Sequence, residues 1–206
     1  MDFKKVISIL NNFEQFTLPG SIAHDEIAPY RNNELIKPNK NARQAAVLVH
    51  LYPIKNETYI TLIRRTTYDG AHSGQIALPG GKAEKKDIDI IDTALREARE
   101  ETNITQDSLK VIGKLTAIYI PPSNFYVTPV LCTSQKQPDY IAEKLEVDEI
   151  LEVKLTELLH PNSIVTKHIK LSTGVNLETP SFTLLEETVW GATAMILNEL
   201  KMVLTR

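Results

Sequence analysis

The chain contains the segment Leu78-Pro79-Gly80-Gly81, then an acidic linker, then Arg96-Glu97-Ala98-Arg99-Glu100-Glu101. Proline followed by two glycines predicts a turn at the start of the segment. Beyond the linker, small or apolar side chains recur at intervals of three and four residues, which predicts a helix with one buried face. The residues on that face are Ile91, Leu95, Ala98 and Thr102.

The acidic residues of this predicted helix are spaced so that their carboxylates lie close together. Glu97, Glu100 and Glu101 are three and four positions apart, which places them on a face beside the buried one. Like charges at this spacing repel by roughly a few tenths of a kcal/mol per pair. A hard cation such as Mg²⁺ prefers oxygen ligands and is completed by water and substrate phosphates, so the pattern is typical of a metal site. The alternative is a solvated acidic helix face without a ligand.

These residues resemble the signature box of the Nudix hydrolases, a family that cleaves nucleoside diphosphates linked to another group. The matching residues are Gly81, Asp87 and the run Arg96-Glu97-Ala98-Arg99-Glu100-Glu101-Thr102-Asn103-Ile104. The interval from Gly81 to Arg96 is one residue longer than in the commonest form, and Asp87 stands near the position where glutamate is usual. Asn103 replaces the usual glycine, and asparagine is the next best residue for a left-handed helix cap.

The resemblance implies an α+β fold, specifically a Nudix-type αβα sandwich with a mixed β-sheet. It also implies hydrolysis of a pyrophosphate bond with Mg²⁺ or Mn²⁺ as the cofactor. The implied metal ligands are Glu97, Glu100, Glu101 and Gly81. Gly80 and Gly81 would let the backbone approach the metal without a clash from a Cβ atom.

The residues that we expect to serve catalysis are Glu97, Glu100, Glu101, Arg96 and Glu146. Arg96 would fix the carboxylates and the preceding loop rather than touch the substrate. Nudix proteins often complete the metal site with a further acidic residue from the region that holds Glu146. Glu143 or Glu149 is the fallback for that residue, and plain surface charge is the alternative for all three.

Three further blocks resemble the coenzyme A pyrophosphatase branch of this family. They are Arg65 with His72-Ser73-Gly74-Gln75, Pro121-Pro122-Ser123-Asn124-Phe125, and Trp190-Gly191-Ala192-Thr193-Ala194. The chain departs from that branch at Asp69-Gly70, where Leu-Arg is more usual, and at Leu78, where phenylalanine is usual. The branch implies hydrolysis of coenzyme A or acyl-coenzyme A to 3′,5′-ADP and 4′-phosphopantetheine or its acyl form. Contacts with this nucleotide are expected from Arg65, His72, Gln75, Gly80, Gly81 and Arg31.

Alternatives to this function stay open. The substrate could be another nucleoside diphosphate derivative such as ADP-ribose, a dinucleotide, or a nucleoside triphosphate. The domain could also be a catalytically inactive regulatory module that binds nucleotides, although the intact set of three glutamates argues against it. Arg31 could be an ordinary solvated residue, His72 either a general base or a structural residue, and Trp190 a core residue.

Composition limits the class of protein and its partners. The 206 residues suit one domain, and the formal net charge of −3 disfavours general binding of nucleic acid. Cys132 is the only cysteine and lies in an apolar run, which predicts a buried thiol and a reducing compartment. No apolar run approaches the length that spans a bilayer, so we expect no membrane association and a cytoplasmic location. A homodimer is compatible with the sequence.

The order of elements predicts an N-terminal helix and arm, residues 1–40, packing on a domain of residues 41–206. A helix is expected over residues 3–13, then a loop or arm over 21–41, and a hairpin turn at Lys55-Asn56-Glu57. The predicted strands are residues 45–51, 58–65, 111–120, 125–132, 146–153, 164–171 and 181–185. A short helix at 155–159, a turn at Glu178-Thr179-Pro180 and a final helix opening at Trp190 complete the prediction.

Overall fold

Strand β1 (Arg43–Ile54) lies at the centre of a mixed sheet in the computed structural model, which describes residues 1–31, 38–67, 74–170 and 174–206. It pairs in parallel with β7 (Phe125–Thr133) and antiparallel with β2 (Glu57–Arg65). Elements cover both faces of β1, and its sequence is accordingly a nearly continuous apolar run. Lys55 and Asn56 connect β1 to β2 with φ of 48° and 70°. This left-handed backbone is that of a two-residue hairpin turn, which confirms the predicted hairpin.

The other strands extend this sheet or form a second one. In the main sheet, β3 (Ile76–Ala77) and β8 (Val147–Lys154) pair with β2, while β5 (Lys110–Lys114) and β6 (Ile118–Ile120) pair with β7. Strand β4 (Gly80–Lys82) pairs with residues 45–47 of β1. The second sheet is antiparallel and contains β9 (Ile164–Lys170), β10 (Asn176–Leu184) and β11 (Glu187–Val189).

Helices pack on both faces of the main sheet. On one face, Ala46 and Leu48 of β1 pack against Ala98 of α3 (Ile90–Thr102). Val49 and Leu51 point to the opposite face and share a hydrophobic core with other helices. Those helices are α1 (Phe3–Leu10), α2 (Ser21–Ile27), α4 (Leu155–Leu159) and α5 (Gly191–Leu204). The predicted αβα arrangement with a mixed sheet is confirmed.

The N-terminal region corrects one prediction. The first helix is present and begins at Asp2, whose carboxylate accepts a hydrogen bond from the backbone N–H of Lys4 at 2.8 Å, as a helix N-cap does. The loop or arm predicted from residue 21 is wrong over its first residues, because Ser21–Ile27 is helix α2. Ala23 and Ile27 are fully buried. The polar residues between them hid the helical pattern.

Two more predictions are wrong in detail. Glu178-Thr179-Pro180 is not a turn but part of β10, where Pro180 lies opposite Thr166 of β9. Strand β11 pairs with β10 only from Phe182 onward, so the missing N–H of Pro180 leaves no gap in a hydrogen-bond ladder on that side. The strand predicted over 111–120 is divided into β5 and β6, because the N–H of Thr116 turns away to the carboxylate of Glu199 at 3.0 Å.

A buried histidine occupies the sheet on the α3 side. His50 of β1 is fully buried, with Nδ1 3.0 Å from Oγ1 of Thr61 and Nε2 2.8 Å from Oγ of Ser134. The Ser134 hydroxyl donates to the carbonyl of Lys136 at 2.7 Å, so it accepts from Nε2–H and leaves Nδ1 as an acceptor. Tyr52 stacks on the imidazole with ring centroids 5.0 Å apart. Burial lowers the pKa of His50 to about 3.

Because His50 is buried as a neutral imidazole, we expect the free energy of unfolding to decrease in mild acid. Between pH 6.5 and 3, the unfolded chain binds a proton at His50 and the folded chain does not, so the free energy of unfolding decreases as pH falls through this window. At pH 5 the contribution is about 2 kcal/mol relative to pH 7.5. Urea unfolding at both pH values measures it, and in His50→Gln the difference between the two values should shrink by that amount. An equal difference in both proteins contradicts the neutral buried imidazole.

Candidate active site

Helix α3 holds the predicted carboxylates, and local contacts fix both of its ends. Asp89 begins the helix as its N-cap, because its Oδ1 accepts hydrogen bonds from the N–H groups of Ile91 and Asp92, each at 2.8 Å. Asn103 ends it with φ of 63°, which confirms the predicted left-handed cap. The helix therefore places Glu97, one turn later Glu101, and Glu100 between them at set positions.

Arg96 is the centre of a hydrogen-bond network that uses all five of its N–H donors. Nε and Nη2 bind the carboxylate of Asp87 at 2.7 and 3.0 Å, and Nη2 also donates to the carbonyl of Lys82 at 3.0 Å. Nη1 donates to Glu97 at 2.9 Å and to Glu100 at 3.0 Å. The bidentate contact with Arg96 holds the pKa of Asp87 well below its usual range. Arg96 thus braces the carboxylates and the linker, the arrangement expected from the sequence.

Glu101 lies at the bottom of the site. It is 2% exposed, and its Oε2 accepts a hydrogen bond from the N–H of Gly80 at 2.7 Å. Nη1 of Arg65 is 3.7 Å from Oε1 of the same carboxylate. Burial raises the pKa of Glu101 to about 8, against the effects of Gly80 and Arg65, and the charges of neighbouring glutamates add to the rise. The carboxylate is therefore held by the protein in a place that favours a further positive charge.

Gly81 allows Glu97 to lie against the backbone of β4. A Cβ atom on Gly81 would be 2.4 Å from Oε2 of Glu97, closer than non-bonded atoms approach. A Cβ on Gly80 would be 2.2 Å from the carbonyl oxygen of Ala46. Gly80 is thus required by close approach to the backbone, whereas a Cβ atom at Gly81 would displace the carboxylate of Glu97. Gly81 lies beside the proposed metal ligands, but its contact with a metal stays a prediction.

Glu100 and Glu97 differ in their surroundings. The side chain of Glu100 is 45% exposed and is shared between Arg96 and Lys86, whose Nζ is 3.7 Å away. Glu97 is partly buried, and burial raises its pKa although Arg96 opposes the rise. Within residues 1–31, 38–67, 74–170 and 174–206, no three acidic, histidine or cysteine side chains are arranged so that they could hold a metal ion. Glu97 and Glu101 are the inner carboxylates, and Glu100 lies at the rim.

The structure separates the three candidates for the additional acidic residue. Glu146 follows an exposed loop, and its charge raises the pKa of both Glu97 and Glu101, so it lies on their side of the sheet edge. The carboxylate of Glu143 is instead engaged with the N–H groups of Leu145 and Glu146 at 2.8 and 3.1 Å. Glu149 pairs with Arg64 at 3.1 Å. Of the three, Glu146 is the one whose charge affects the pKa of Glu97 and Glu101, and its part in the site stays a prediction.

The candidates for substrate contact lie at different distances from the carboxylates. Arg65 lies beside Glu101, while Arg64 points to the opposite face of β2 and pairs with Glu187, as strand alternation predicts. Gln75 is half-buried, and its carbonyl accepts from the N–H of Arg65 at 3.1 Å. Arg31 lies away from this cluster and donates to the carbonyl of Tyr119. His72 lies outside the described residues.

Sequence reasoning missed the role of Asp87. It noted this residue only as a departure from the usual glutamate, yet Asp87 is the bidentate partner of Arg96 and also accepts from Oγ1 of Thr93 at 2.8 Å. Lys86, which approaches Glu100, was missed as well. An acidic residue shortly before a helix that carries an arginine was the available signal. The linker is thus part of the site.

The fold and this carboxylate cluster define the class of protein. The family model described as NUDIX domain matches residues 42–171, and the chain belongs to the Nudix family. It is a Nudix hydrolase, an enzyme that acts on substrates containing a pyrophosphate bond. Nudix hydrolases generally use divalent metal ions.

Particular relatives carry the same family name. "Uncharacterized Nudix hydrolase NudL" from Pectobacterium atrosepticum is 36% identical over 174 residues, covering 80% of this chain and 84% of the relative. Its namesake from Photorhabdus laumondii is 34% identical over 160 residues, covering 78% and 84%. A MutT/nudix family protein from Enterococcus faecalis has a similar solved structure with a TM-score of 0.54 at 20% identity, covering 96% of this chain and 73% of that one. This last similarity supports the fold alone.

Among the described residues, no helix combines the length and the apolar character that crossing a membrane demands.

Cys132 is fully buried as predicted, and burial raises the pKa of its thiol to about 12.

Proposed function

We propose that this Nudix hydrolase cleaves the pyrophosphate bond of coenzyme A or acyl-coenzyme A. The products are 3′,5′-ADP and 4′-phosphopantetheine or its acyl form. The sequence blocks that include Arg65, residues 121–125 and residues 190–194 support this substrate. The observation that carries the proposal is the 3.7 Å approach of Arg65 to Glu101, because it joins a block typical of the coenzyme A branch to the carboxylate cluster.

The residues present fit a divalent metal ion. Their donors are carboxylate oxygens, which Mg²⁺ and Mn²⁺ prefer. Mg²⁺ is commonly held by one or two carboxylates, with water and substrate phosphates as its other ligands, so two carboxylates from the protein are enough. Glu97 and Glu101 would hold the ion, with Glu100 joining directly or through water and the carbonyl of Gly81 beside them. A bound metal neutralises phosphate oxygens and makes bound water more acidic.

Residues of the chain position the carboxylates, bind the substrate phosphates and accept a proton. Arg96 holds Glu97 and Glu100, and the N–H of Gly80 holds Glu101, so the carboxylates need no rearrangement when a substrate arrives. Arg65 offers a guanidinium to phosphate oxygens, whose geometry it matches. In the reaction, a water oxygen bonds to one phosphorus and the bond from that phosphorus to the bridging oxygen breaks. A carboxylate, with Glu146 as the candidate, takes the proton of the water.

The test compares substrates under one metal condition. We expect kcat/KM for coenzyme A to exceed that for ADP-ribose, with products identified by mass as 3′,5′-ADP and 4′-phosphopantetheine. Removal of the metal by a chelator should abolish turnover, and added Mg²⁺ or Mn²⁺ should restore it. If ADP-ribose is preferred by about tenfold, a difference of about 1.4 kcal/mol in transition-state binding, the assignment to the coenzyme A branch is wrong. A cytoplasmic location and a homodimer stay predictions.

A further inference from the structure

The guanidinium of Arg31 lacks part of the hydrogen bonding that its charge demands. Arg31 follows α2 and is half-buried, and its Nη2 donates to the carbonyl of Tyr119. Its Nε is buried and has no hydrogen-bond partner. Within the described ranges, Arg31 forms no ion pair with a carboxylate. A buried charged donor without a partner carries the full penalty of desolvation, so among the described residues this position lacks an anion and favours one.

A second arginine contacts the same part of the chain. Nη2 of Arg43 donates to the carbonyl of Ser123 at 2.7 Å, and its guanidinium lies 4.0 Å from the centre of the Phe125 ring. Among the described residues no carboxylate pairs with Arg43 either. Arg31 therefore contacts the strand before the turn at residues 121–124, and Arg43 contacts the turn and the strand after it. Two positive charges thus flank one turn in a chain of net charge −3, and the described part of the chain pairs neither with a carboxylate.

The register of the sheet relates these arginines to the carboxylates. Ala45 of β1 lies opposite Lys82, whose carbonyl accepts from Arg96. Arg43 precedes Ala45 by two residues, about 7 Å along an extended strand. Arg43 also shares its side of the strand with Val49, the side covered by α2, and Arg31 lies four residues after the end of α2. Arg43 thus lies two residues from the part of β1 that pairs with β4, and its side chain lies on the face of the sheet opposite α3.

We propose that Arg31 and Arg43 bind the 3′-phosphate of the substrate, an inference that rests on the proposed function. In coenzyme A, the ribose separates the 3′-phosphate from the pyrophosphate. When the pyrophosphate lies at the carboxylates, the 3′-phosphate therefore lies a short distance away, on the other side of the ribose. Guanidinium groups match phosphate oxygens, and the unused Nε of Arg31 supplies a donor for one of them. These residues then distinguish coenzyme A from nucleotides without a 3′-phosphate.

The experiment compares Arg31→Gln, Arg43→Gln and the double variant with wild type, using coenzyme A and dephospho-coenzyme A as substrates. Glutamine keeps a donor for the carbonyl of Tyr119 or Ser123 and removes the charge. Arg206→Gln is the matched control, because Arg206 also contacts one carbonyl, that of Thr17, and one aromatic ring, that of Phe16. Thermal unfolding of each variant confirms that it is folded.

We expect wild type and the control to prefer coenzyme A by at least about tenfold in kcat/KM, the value of one charge-assisted hydrogen bond. The double variant should lose this preference and retain its turnover of dephospho-coenzyme A. Binding of 3′,5′-ADP should weaken in the same variants relative to 5′-AMP. A preference that survives in the double variant overturns the inference and leaves the proposed function intact. If wild type does not hydrolyse coenzyme A, the proposed function fails, and the comparison of 3′,5′-ADP with 5′-AMP still decides whether these arginines bind a 3′-phosphate.

Discussion

Replacement of Glu101 by glutamine is expected to lower kcat by about 10²- to 10³-fold, the usual effect of losing one electrostatic contribution in a transition state. Glutamine has nearly the same size and keeps an oxygen that can accept from the N–H of Gly80, so the fold should survive. It removes the negative charge that is held 2.7 Å from the N of Gly80 and 3.7 Å from Arg65. The decrease in kcat therefore measures the effect of the negative charge of Glu101 rather than the effect of its packing.

Steady-state kinetics at saturating Mg²⁺ measure this effect, with Glu149→Gln as the matched control. Glu149 is also a glutamate in an ion pair with an arginine, but its partner is Arg64 on the other face of β2. The control should turn over at nearly the wild-type rate. Glu101→Gln with an unchanged kcat would remove Glu101 from the catalytic residues.

Arg96→Lys should lower kcat by about 10²-fold and change KM much less, because carboxylates that are misplaced by even a small distance damage the transition state. A lysine ammonium has three donors at one point, whereas the planar guanidinium serves Asp87, Glu97 and Glu100 together. The side chains of Asp87 and Arg96 are 3% and 8% exposed. Lysine keeps the charge but not the two parallel hydrogen bonds to Asp87, and the loss of one charge-assisted hydrogen bond lowers the free energy of unfolding by about 2 kcal/mol.

Arg64→Lys provides the control for Arg96→Lys. Arg64 pairs with Glu149 and Glu187, whose side chains are 53% and 36% exposed. Exposed pairs of this kind contribute about 1 kcal/mol or less. The measurements are kcat, KM and urea unfolding of both variants. If Arg96→Lys keeps the wild-type kcat, Arg96 does not brace the catalytic carboxylates.

Local sequence predicted those parts of the fold that depend on near neighbours. The cap at Asn103 and the turn at Lys55 and Asn56 follow from the preference of asparagine for left-handed backbone. Helix α2 could not be predicted in this way. His24 of α2 is buried 3.5 Å from Glu199, a residue far away in the sequence, and that contact makes a polar residue part of the interior.

In the candidate site, too, features set by near neighbours in sequence were predictable and features set by distant contacts were not. The spacing of Glu97, Glu100 and Glu101 within one helix was readable, because i, i+3 and i, i+4 neighbours share a face. The choice between Glu143, Glu146 and Glu149 was not readable, since it depends on how the loop before β8 lies against α3. The pairing of Asp87 with Arg96 was hidden as well, because Asp87 lies before the N-cap Asp89 and helical spacing does not fix its position.

The complete use of the donors of Arg96 has a thermodynamic consequence. None of its N–H groups is left for a nucleotide, so an incoming diphosphate meets the glutamates of the site, with Arg65 and Lys86 as cations beside them. The negative charges of protein and substrate then repel each other until a divalent cation lies between them. If the proposed function holds, we expect cation and substrate to bind with positive cooperativity, and by linkage each raises the affinity for the other by the same factor. The dissociation constant of the metal therefore depends on the nucleotide concentration at which it is measured.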